Sequence, residues 1–350
     1  MSQQPSLAST AATSTITIQD WNQRRQQATR YYKQGKYRDY LTLVRANLEL
    51  AQELGDRAQQ GNALNEVGLG YIYCCQPQTA LDYFHQALAL AQELHNDRAK
   101  AISLSNIGSA YSHLGQLSMS LEFFNQALAV FRTIQDLQGE LSTLHDVAIL
   151  YAKLDEPKRS LLIHHQVLAM RKTLEDFSGE ATTLNGIGFA YAILGQPEQA
   201  LAVFQEARSI QQAVKNRLGE ATTLNNIASV YLDLGHFNQA LLLYHQIGLC
   251  RRELGDRPGE AVTLHNIGST YSTLGDVEQA LRFYNQALAV YQELRDRPNE
   301  IATLLSIGSL YVMLDRKDKA RSYYTDAHAL VQTIDHQSLS KKVERLLNGL

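Results

Sequence analysis

The chain has 350 residues, of which 45% are apolar and 19% are charged, and its formal net charge is −3. This composition excludes a disordered or fibrous protein, and a charge so close to zero provides no basic surface for nucleic acid or an anionic membrane. No apolar stretch reaches the roughly 18 residues that span a bilayer. The N-terminus lacks the basic and apolar regions of a signal peptide, and three cysteines are too few for a disulfide framework, so we expect a cytoplasmic protein.

The first segment of the chain, residues 1–19, contains no charged residue and is rich in serine, threonine, glutamine and alanine. Such a composition cannot bury enough apolar surface to offset the entropy lost on folding. We therefore expect a disordered tail at residues 1–19.

From residue 20 onwards the sequence repeats itself every forty residues. One tyrosine recurs in every unit, namely Tyr31, Tyr71, Tyr111, Tyr151, Tyr191, Tyr231, Tyr271 and Tyr311. From the second unit on, a small residue precedes this tyrosine by three positions: Gly68, Gly108, Ala148, Gly188, Ala228, Gly268 and Gly308. Another small residue follows it by nine positions: Ala80, Ser120, Ser160, Ala200, Ala240, Ala280 and Ala320. A fixed period of this length indicates tandem structural repeats.

Each unit contains two helical patterns separated by a turn. The first places apolar or small residues three and four positions apart, as at Leu184, Ile187, Gly188, Tyr191 and Leu194. The second does the same, as at Ala200, Leu201, Phe204 and Ala207. Glycine lies between them, where a helix ends in a left-handed residue, at Gly35, Gly115, Gly195, Gly235 and Gly275. Each unit is therefore predicted to be two helices joined by a tight turn.

The unit boundaries carry side chains that can cap a helix. They are Asp56, Asn96, Asp136, Asp176, Asn216, Asp256 and Asp296. We read each as the N-cap of a first helix, which gives eight units beginning near residues 20, 57, 97, 137, 177, 217, 257 and 297. One helix pair cannot bury both of its faces, so the units are predicted to stack into a solenoid over residues 20–336.

The last segment, residues 337–350, has an apolar stripe at Leu339, Val343, Leu346 and Leu347. Lys341, Lys342 and Arg345 lie on the other side of the same predicted helix. We interpret it as a capping helix, with a basic docking helix as the alternative.

The repeat resembles the tetratricopeptide repeat (TPR). Its small residue, tyrosine, alanine, aromatic residue and second alanine correspond to Gly68, Tyr71, Ala80, Phe84 and Ala87. Long repeats of this kind are similar to those of kinesin light chains and Pins-type adaptors. The resemblance implies an all-α protein: an α-solenoid, or right-handed superhelix, of eight tandem helix-turn-helix units with a C-terminal capping helix. It also implies that the first helices line a concave groove that holds an extended peptide.

The predicted groove is rich in amides. Three positions before the small residue lie Asn65, Ser105, His145, Asn185, Asn225, His265 and Leu305. Two positions before it lie Glu66, Asn106, Asp146, Gly186, Asn226, Asn266 and Ser306. A carboxamide both donates and accepts, so such a ladder can pair with the backbone of an extended peptide. The alternative is that solvated asparagines are merely tolerated on a helix surface.

Specificity is predicted to come from a few distinctive groove residues. Ile149, Phe189 and Ile193 would form an apolar patch, unless neighbouring helices cover it. Glu66 and Asp146 would favour basic or donor groups. From the second unit on, these groove positions hold no lysine or arginine, so we expect no clamp for a terminal carboxylate of the chaperone-binding kind.

The sequence offers little for catalysis or for metal binding. His164 and His165 are adjacent and would point about 100° apart on a helix, so they do not converge on one metal ion, and His164 occupies an aromatic position of the repeat. His145 and His265 lack an evident nucleophile nearby. Cys74 and Cys75 replace residues of a turn, and packing explains them as well as a redox role does.

The leading hypothesis is therefore a non-enzymatic scaffold or adaptor without a cofactor, which binds an extended peptide segment of a partner protein. The alternative is a regulatory sensor in which a signalling peptide or small effector changes the pitch of the superhelix. Neither hypothesis involves nucleic acid or insertion into a membrane.

Overall fold

The computed structural model describes residues 18–332 and 337–350, and these residues form seventeen helices and no strand. Sixteen of the helices form eight consecutive pairs. The first helices of the pairs are α1 (Ile18–Lys33), α3 (Arg57–Tyr73), α5 (Asp97–His113), α7 (Leu137–Lys153), α9 (Phe177–Ile193), α11 (Arg217–Asp233), α13 (Arg257–Thr273) and α15 (Arg297–Met313). The second helices are α2 (Tyr37–Glu53), α4 (Pro77–Glu93), α6 (Leu117–Thr133), α8 (Pro157–Thr173), α10 (Pro197–Ala213), α12 (Phe237–Glu253), α14 (Val277–Leu294) and α16 (Lys317–Val331). The predicted α-solenoid of helix pairs is confirmed.

The first helices begin where the capping side chains predict. The Asp56 carboxylate accepts a hydrogen bond from the backbone N–H of Gln59 at 3.0 Å. The same bond, three residues on, forms at Asn96, Asp136, Asp176, Asn216, Asp256 and Asp296. Each cap satisfies a backbone N–H that the helix itself leaves unpaired.

Each of the fifteen turns from α1 to α16 contains one residue with left-handed backbone, and in two of them this residue is Gly55 or Gly255. The five turn glycines predicted for this role adopt it, with φ between 69° and 79°, for example 70° at Gly35 and 73° at Gly115. Eight residues other than glycine do the same: Cys75, His95, Gln135, Asp155, Glu175, Lys215, Arg295 and Asp315. The backbone thus repeats every twenty residues, although the side-chain pattern repeats every forty.

Within a pair, the small residue of the first helix touches the aromatic ring of the second. A methyl group on Gly68 would lie 2.3 Å from the ring of Phe84, and one on Gly188 would lie 2.5 Å from the ring of Phe204. Only a residue without a side chain permits this approach, which positions the two helices relative to each other. The buried residues form a series of clusters along the solenoid, such as the one that joins Phe204 to Leu224 of the following pair.

The structure describes the whole predicted capping segment, residues 337–350, but only the last two residues of the predicted tail. The disordered tail predicted at residues 1–19 lies outside the described residues except at its end, where Ile18 and Gln19 belong to α1. At the other end, α17 (Gln337–Asn348) places Val343 in the core of the last pair, fully buried. Over the described ranges, no helix is long and apolar enough to cross a membrane.

The superhelix curves far enough for the first pair to meet the seventh. A methyl group on Gly35, in the turn between α1 and α2, would lie 2.3 Å from the ring of Pro258 in α13. Burial raises the pKa of the Tyr37 hydroxyl to about 12, and the nearby charges of Asp296 and Asp256 contribute to this rise. The ends of the solenoid are therefore in contact across a superhelical turn.

We expect Gly35→Ala to open this contact, because the new methyl group collides with Pro258. Gly115→Ala is the matched control, since Gly115 has the same backbone conformation and no neighbour within 4 Å. Each substitution should lower the free energy of unfolding by about 1 kcal/mol, because alanine is strained in a left-handed backbone conformation. Small-angle X-ray scattering should show a larger radius of gyration for Gly35→Ala only, and equal radii for the two variants would contradict the closed arrangement.

Candidate functional site

The predicted groove positions lie on one continuous surface, which we call the first-helix face. It consists of the residues of α3, α5, α7, α9, α11, α13 and α15 that lie three and two positions before the small residue, and one and five positions after it. Because successive pairs stack in a constant register, side chains 38 and 41 residues apart come into contact on it. All thirteen predicted site residues lie on this face.

Asparagines of the first-helix face are hydrogen-bonded to one another. The side-chain amide of Asn106 donates to Oδ1 of Asn65 at 2.9 Å, and Asn65 donates to the hydroxyl of Ser103 at 3.0 Å. The same arrangement recurs three pairs later, where Asn226 donates to Asn185 and Asn185 donates to Thr223. Asn266 likewise donates to Asn225 at 3.1 Å. The asparagines thus join neighbouring repeats, a role that neither interpretation of the sequence anticipated.

These bonds determine which amides can still donate to a ligand. Asn65 and Asn185 use both amide hydrogens inside the protein, the second one on a backbone carbonyl of their own helix. Asn106, Asn226 and Asn266 each donate once to the preceding repeat, which leaves one amide hydrogen and the carbonyl oxygen of each for other partners. Asn225 accepts from Asn266 and donates no hydrogen bond to a described residue, so both of its amide hydrogens are also available.

A row of hydroxyl side chains, one in each repeat from α5 to α15, lies next to the asparagines and includes acceptors for two of their amides. Ser103, Thr143, Thr183, Thr223, Thr263 and Thr303 lie five positions before the small residue and are almost completely buried. Thr303 also pairs with the imidazole of His265, Nδ1 to Oγ1, at 3.0 Å. Burial lowers the pKa of His265, so its ring is neutral at pH 7. The sequence contained this signal, because the hydroxyl residues recur every forty positions.

The ladder is interrupted at α7 and α9, where Asp146 and Gly186 take the position that asparagine holds in α5, α11 and α13. Gly186 lies 41 residues after His145 and has no side chain to pair with it. The Nδ1 atom of His145 is therefore buried without a hydrogen bond. The ring of His164 packs against Gly186 and lies 5.2 Å from the ring of His145. Burial is the main cause that lowers the pKa of His145 to about 4 and that of His164 to about 3, so both rings are neutral at pH 7. His164 fills the aromatic position, as predicted.

Two carboxyl groups of the face have few or no hydrogen-bond and ion-pair partners. Asp146 makes no ion pair or hydrogen bond among the described residues, and burial raises its pKa to about 6 although the charge of Lys153 opposes this shift. Glu66 lies 3.5 Å from Nε of Arg25, yet its other oxygen is buried without a partner and burial raises its pKa. At neutral pH both positions favour a ligand that brings positive charge or hydrogen-bond donors.

Four apolar side chains of the face are open to solvent: Met313 lies alone on α15 and is 66% exposed, and the other three lie together on α7 and α9. Ile149 is 38% exposed, Phe189 is 54% exposed and Ile193 is 39% exposed. The alternative that neighbouring helices cover them is therefore wrong. Ser229, Ser269 and Ser309 occupy the position of Phe189 in the later pairs, so the apolar patch is confined to α7 and α9.

The described residues contain no arrangement of side chains suited to metal binding or to redox chemistry. No group of three or more histidine, cysteine or acidic side chains converges there on a point that could hold a metal ion. Cys74 and Cys75 are free thiols. Burial raises the pKa of both, to about 11 for Cys75, so the reactive thiolate is disfavoured.

We expect Asp146→Asn to stabilise the protein above pH 6. The folded state holds a proton on Asp146 up to about pH 6, whereas the unfolded chain releases it near pH 4, so this residue lowers stability as the pH rises between these values. At pH 7.5 the free energy of unfolding of the variant should exceed that of the wild type by about 1 to 2 kcal/mol. Below pH 4 the two free energies should be equal. Denaturant titrations at the two pH values measure this. The exposed Asp82→Asn serves as control, and an equal effect of both substitutions would refute the assignment.

Comparison with known proteins places this arrangement in a family. A model of the tetratricopeptide repeat matches residues 59–133, 101–173, 179–247, 246–293 and 259–333. No curated protein sequence gives a match.

Among solved structures, the apo form of the quorum sensor NprR from B. thuringiensis is 17% identical, with 89% of this chain and 92% of that chain covered and a TM-score of 0.62. NprR in complex with its cognate peptide NprX is 19% identical, with 86% of each chain covered and a TM-score of 0.57. A Rap protein complexed with Competence and Sporulation Factor is 14% identical, with 94% and 99% covered and a TM-score of 0.59. These likenesses concern the fold, whereas the family model matches well over half of the sequence: the chain belongs to the tetratricopeptide repeat family.

Proposed function

We propose that this protein is a non-enzymatic adaptor that binds an extended segment of a partner protein along the first-helix face. The observation that carries the proposal is the exposed patch of Ile149, Phe189 and Ile193, which lies beside the unpaired carboxyl of Asp146 on a mainly polar face. Asp146 and Ile149 are three residues apart on α7 and therefore neighbours on the helix surface. A segment with an apolar side chain next to a basic one would complement both.

The free amide groups would hold the backbone of that segment. Asn106, Asn226 and Asn266 each retain one hydrogen to donate, and their carboxamides are already oriented by a bond to the preceding repeat. Oriented donors lose less entropy on binding than mobile ones do. The NprR structure with its peptide NprX supports the proposal by analogy of fold. Three free cysteines agree with a cytoplasmic location, which we propose for this adaptor.

Phe189→Ser tests the site with little risk to the fold, because serine occupies the same position in three later pairs. We expect affinity purification with the full-length variant to recover at least about tenfold less of a directly bound partner than the wild type does, a loss of about 1.4 kcal/mol.

The matched control is Leu162→Ser, which removes a 72% exposed leucine from the second helix α8, away from the first-helix face. It should bind as the wild type does. If Phe189→Ser kept every partner, or if Leu162→Ser lost the same ones, binding along this face would be refuted.

A second candidate function is a regulatory sensor in which a signalling peptide or small effector changes the pitch of the superhelix. The contact between Gly35 and Pro258 favours it, because a small change of pitch at each repeat adds up across the pairs that separate these two residues.

An effector that acts in this way should change the radius of gyration of the protein in small-angle scattering. The change should be absent in Gly35→Ala if that variant is already open. A partner that binds without changing the scattering curve would favour the adaptor over the sensor.

A further inference from the structure

A cavity of about 760 Å³ lies in the gap where the first pair meets the seventh and eighth. Helix α2 forms one wall with Arg38 and Arg45, and the turn between α14 and α15 forms the opposite wall with Arg295 and Arg297. A neighbouring cavity of about 590 Å³ shares Arg38 and Arg295 with it. The first cavity shares Tyr73 with the first-helix face, but none of Asp146, Ile149, Phe189 and Ile193 lines either cavity, so the inference below is independent of the proposed adaptor function.

The cavity is lined by more positive than negative charge. Four arginines face two carboxylates, Glu49 and Asp296. Asp296 already caps α15 by accepting from Asn299, and Arg297 is paired with Glu300 at 2.7 Å. Glu49 follows Arg45 by one helical turn, but it forms no ion pair within 4 Å in the described part of the chain.

Three of the four guanidinium groups have no partner. Arg38, Arg45 and Arg295 make neither a side-chain hydrogen bond nor an ion pair with any described residue. Arginines at other turns pair with glutamate, as Arg57 does with Glu93 and Arg217 with Glu253. Guanidinium groups that line one cavity and are not paired with a carboxylate can donate to an anion.

The remaining lining is partly apolar and partly polar. The rings of Tyr37 and Tyr73 lie 5.5 Å apart at the wall of the cavity, next to Leu41, Leu294 and Pro298. Uncharged polar groups of the wall come from Thr42, Gln76 and Asn299. The volume falls within the roughly 300 to 1,000 Å³ that is usual for small-molecule sites, and an apolar wall with a few convergent polar groups is typical of them.

We propose that this cavity binds a small organic anion with two or more negative charges on a planar or apolar body, held by Arg38 and Arg45 of the first pair and Arg295 of the seventh. The charges could belong to a phosphate ester or to neighbouring carboxylates, which share this recognition chemistry. Because the ligand contacts both walls, it would tie the first pair to the seventh. Binding would thereby stabilise the closed superhelix.

The test is calorimetric titration of the full-length protein at pH 7.5 with three probes: phenyl phosphate, phthalate and uncharged benzamide. We expect at least one of the two anions to bind with a stoichiometry of one, and benzamide not to bind. Binding of phenyl phosphate alone identifies a phosphate ester as the natural class, and binding of phthalate alone identifies a polycarboxylate.

The triple variant Arg38→Gln, Arg45→Gln, Arg295→Gln should weaken the binding by at least about tenfold. The matched control is Arg30→Gln, Arg316→Gln, Arg321→Gln, which removes the same number of charges from arginines outside both cavities. Gly35→Ala should also weaken binding by separating the walls, whereas Gly115→Ala should not.

The proposal is overturned if neither anion binds, if benzamide binds as well as the anions do, or if the control triple variant weakens binding as much as the cavity variant. The circular dichroism spectra of both triple variants at 222 nm should equal that of the wild type. Since all six arginines lack side-chain ion pairs among the described residues, we expect no loss of fold.

Discussion

The contact between a side-chain-free position on one helix and an aromatic ring on the next determines the geometry of this protein. At Gly68, Gly188 and Gly308 the ring of the partner helix occupies the space that a methyl group would need, at 2.2 to 2.5 Å from it. This contact recurs in the pairs of α3, α5, α9, α13 and α15, whereas Ala148 and Ala228 take the place of glycine in the pairs of α7 and α11. The pairs have similar internal geometry and stack with a nearly constant offset. That offset brings residues 38 and 41 positions apart into contact, and it curves the solenoid until Gly35 reaches Pro258.

The polar residues between the repeats reinforce this stacking. A buried amide needs partners, and Asn65 and Asn185 find them in the neighbouring repeat and in their own helix. Each such bond contributes about 1 kcal/mol, and an amide left unpaired would cost more. The ladder thus links repeats while it leaves the second column of asparagines partly free. At Gly186 the ladder stops, and two neutral histidines occupy the space next to the exposed apolar patch.

The two candidate binding surfaces depend on different levels of the structure. The first-helix face is formed by neighbouring repeats, so a local change such as Phe189→Ser alters only one part of it. The arginine cavity exists only because distant repeats meet, and it disappears if the superhelix opens. Both surfaces contain charged groups without a partner in the described residues, Asp146 in one and Arg38, Arg45 and Arg295 in the other, and burial of Asp146 lowers stability at neutral pH. Uncompensated charges of this kind are typical of functional sites, where stability is given up for binding.

By itself the sequence determined the helices, their caps and the pairing of helices, because these depend on neighbouring residues and on a pattern that recurs every forty positions. It also located the apolar patch, since Phe189 departs from a column of serines. The left-handed turns at Cys75, His95 and Arg295 could not be predicted, because their side chains carry no turn signal and the short connection imposes the conformation. The pairing of Asn106 with Asn65 depended on the offset between stacked pairs, which no single repeat encodes. The cavity between Arg38 and Arg295 was decided by tertiary structure alone, because only the accumulated curvature of the whole solenoid brings residues more than two hundred positions apart together.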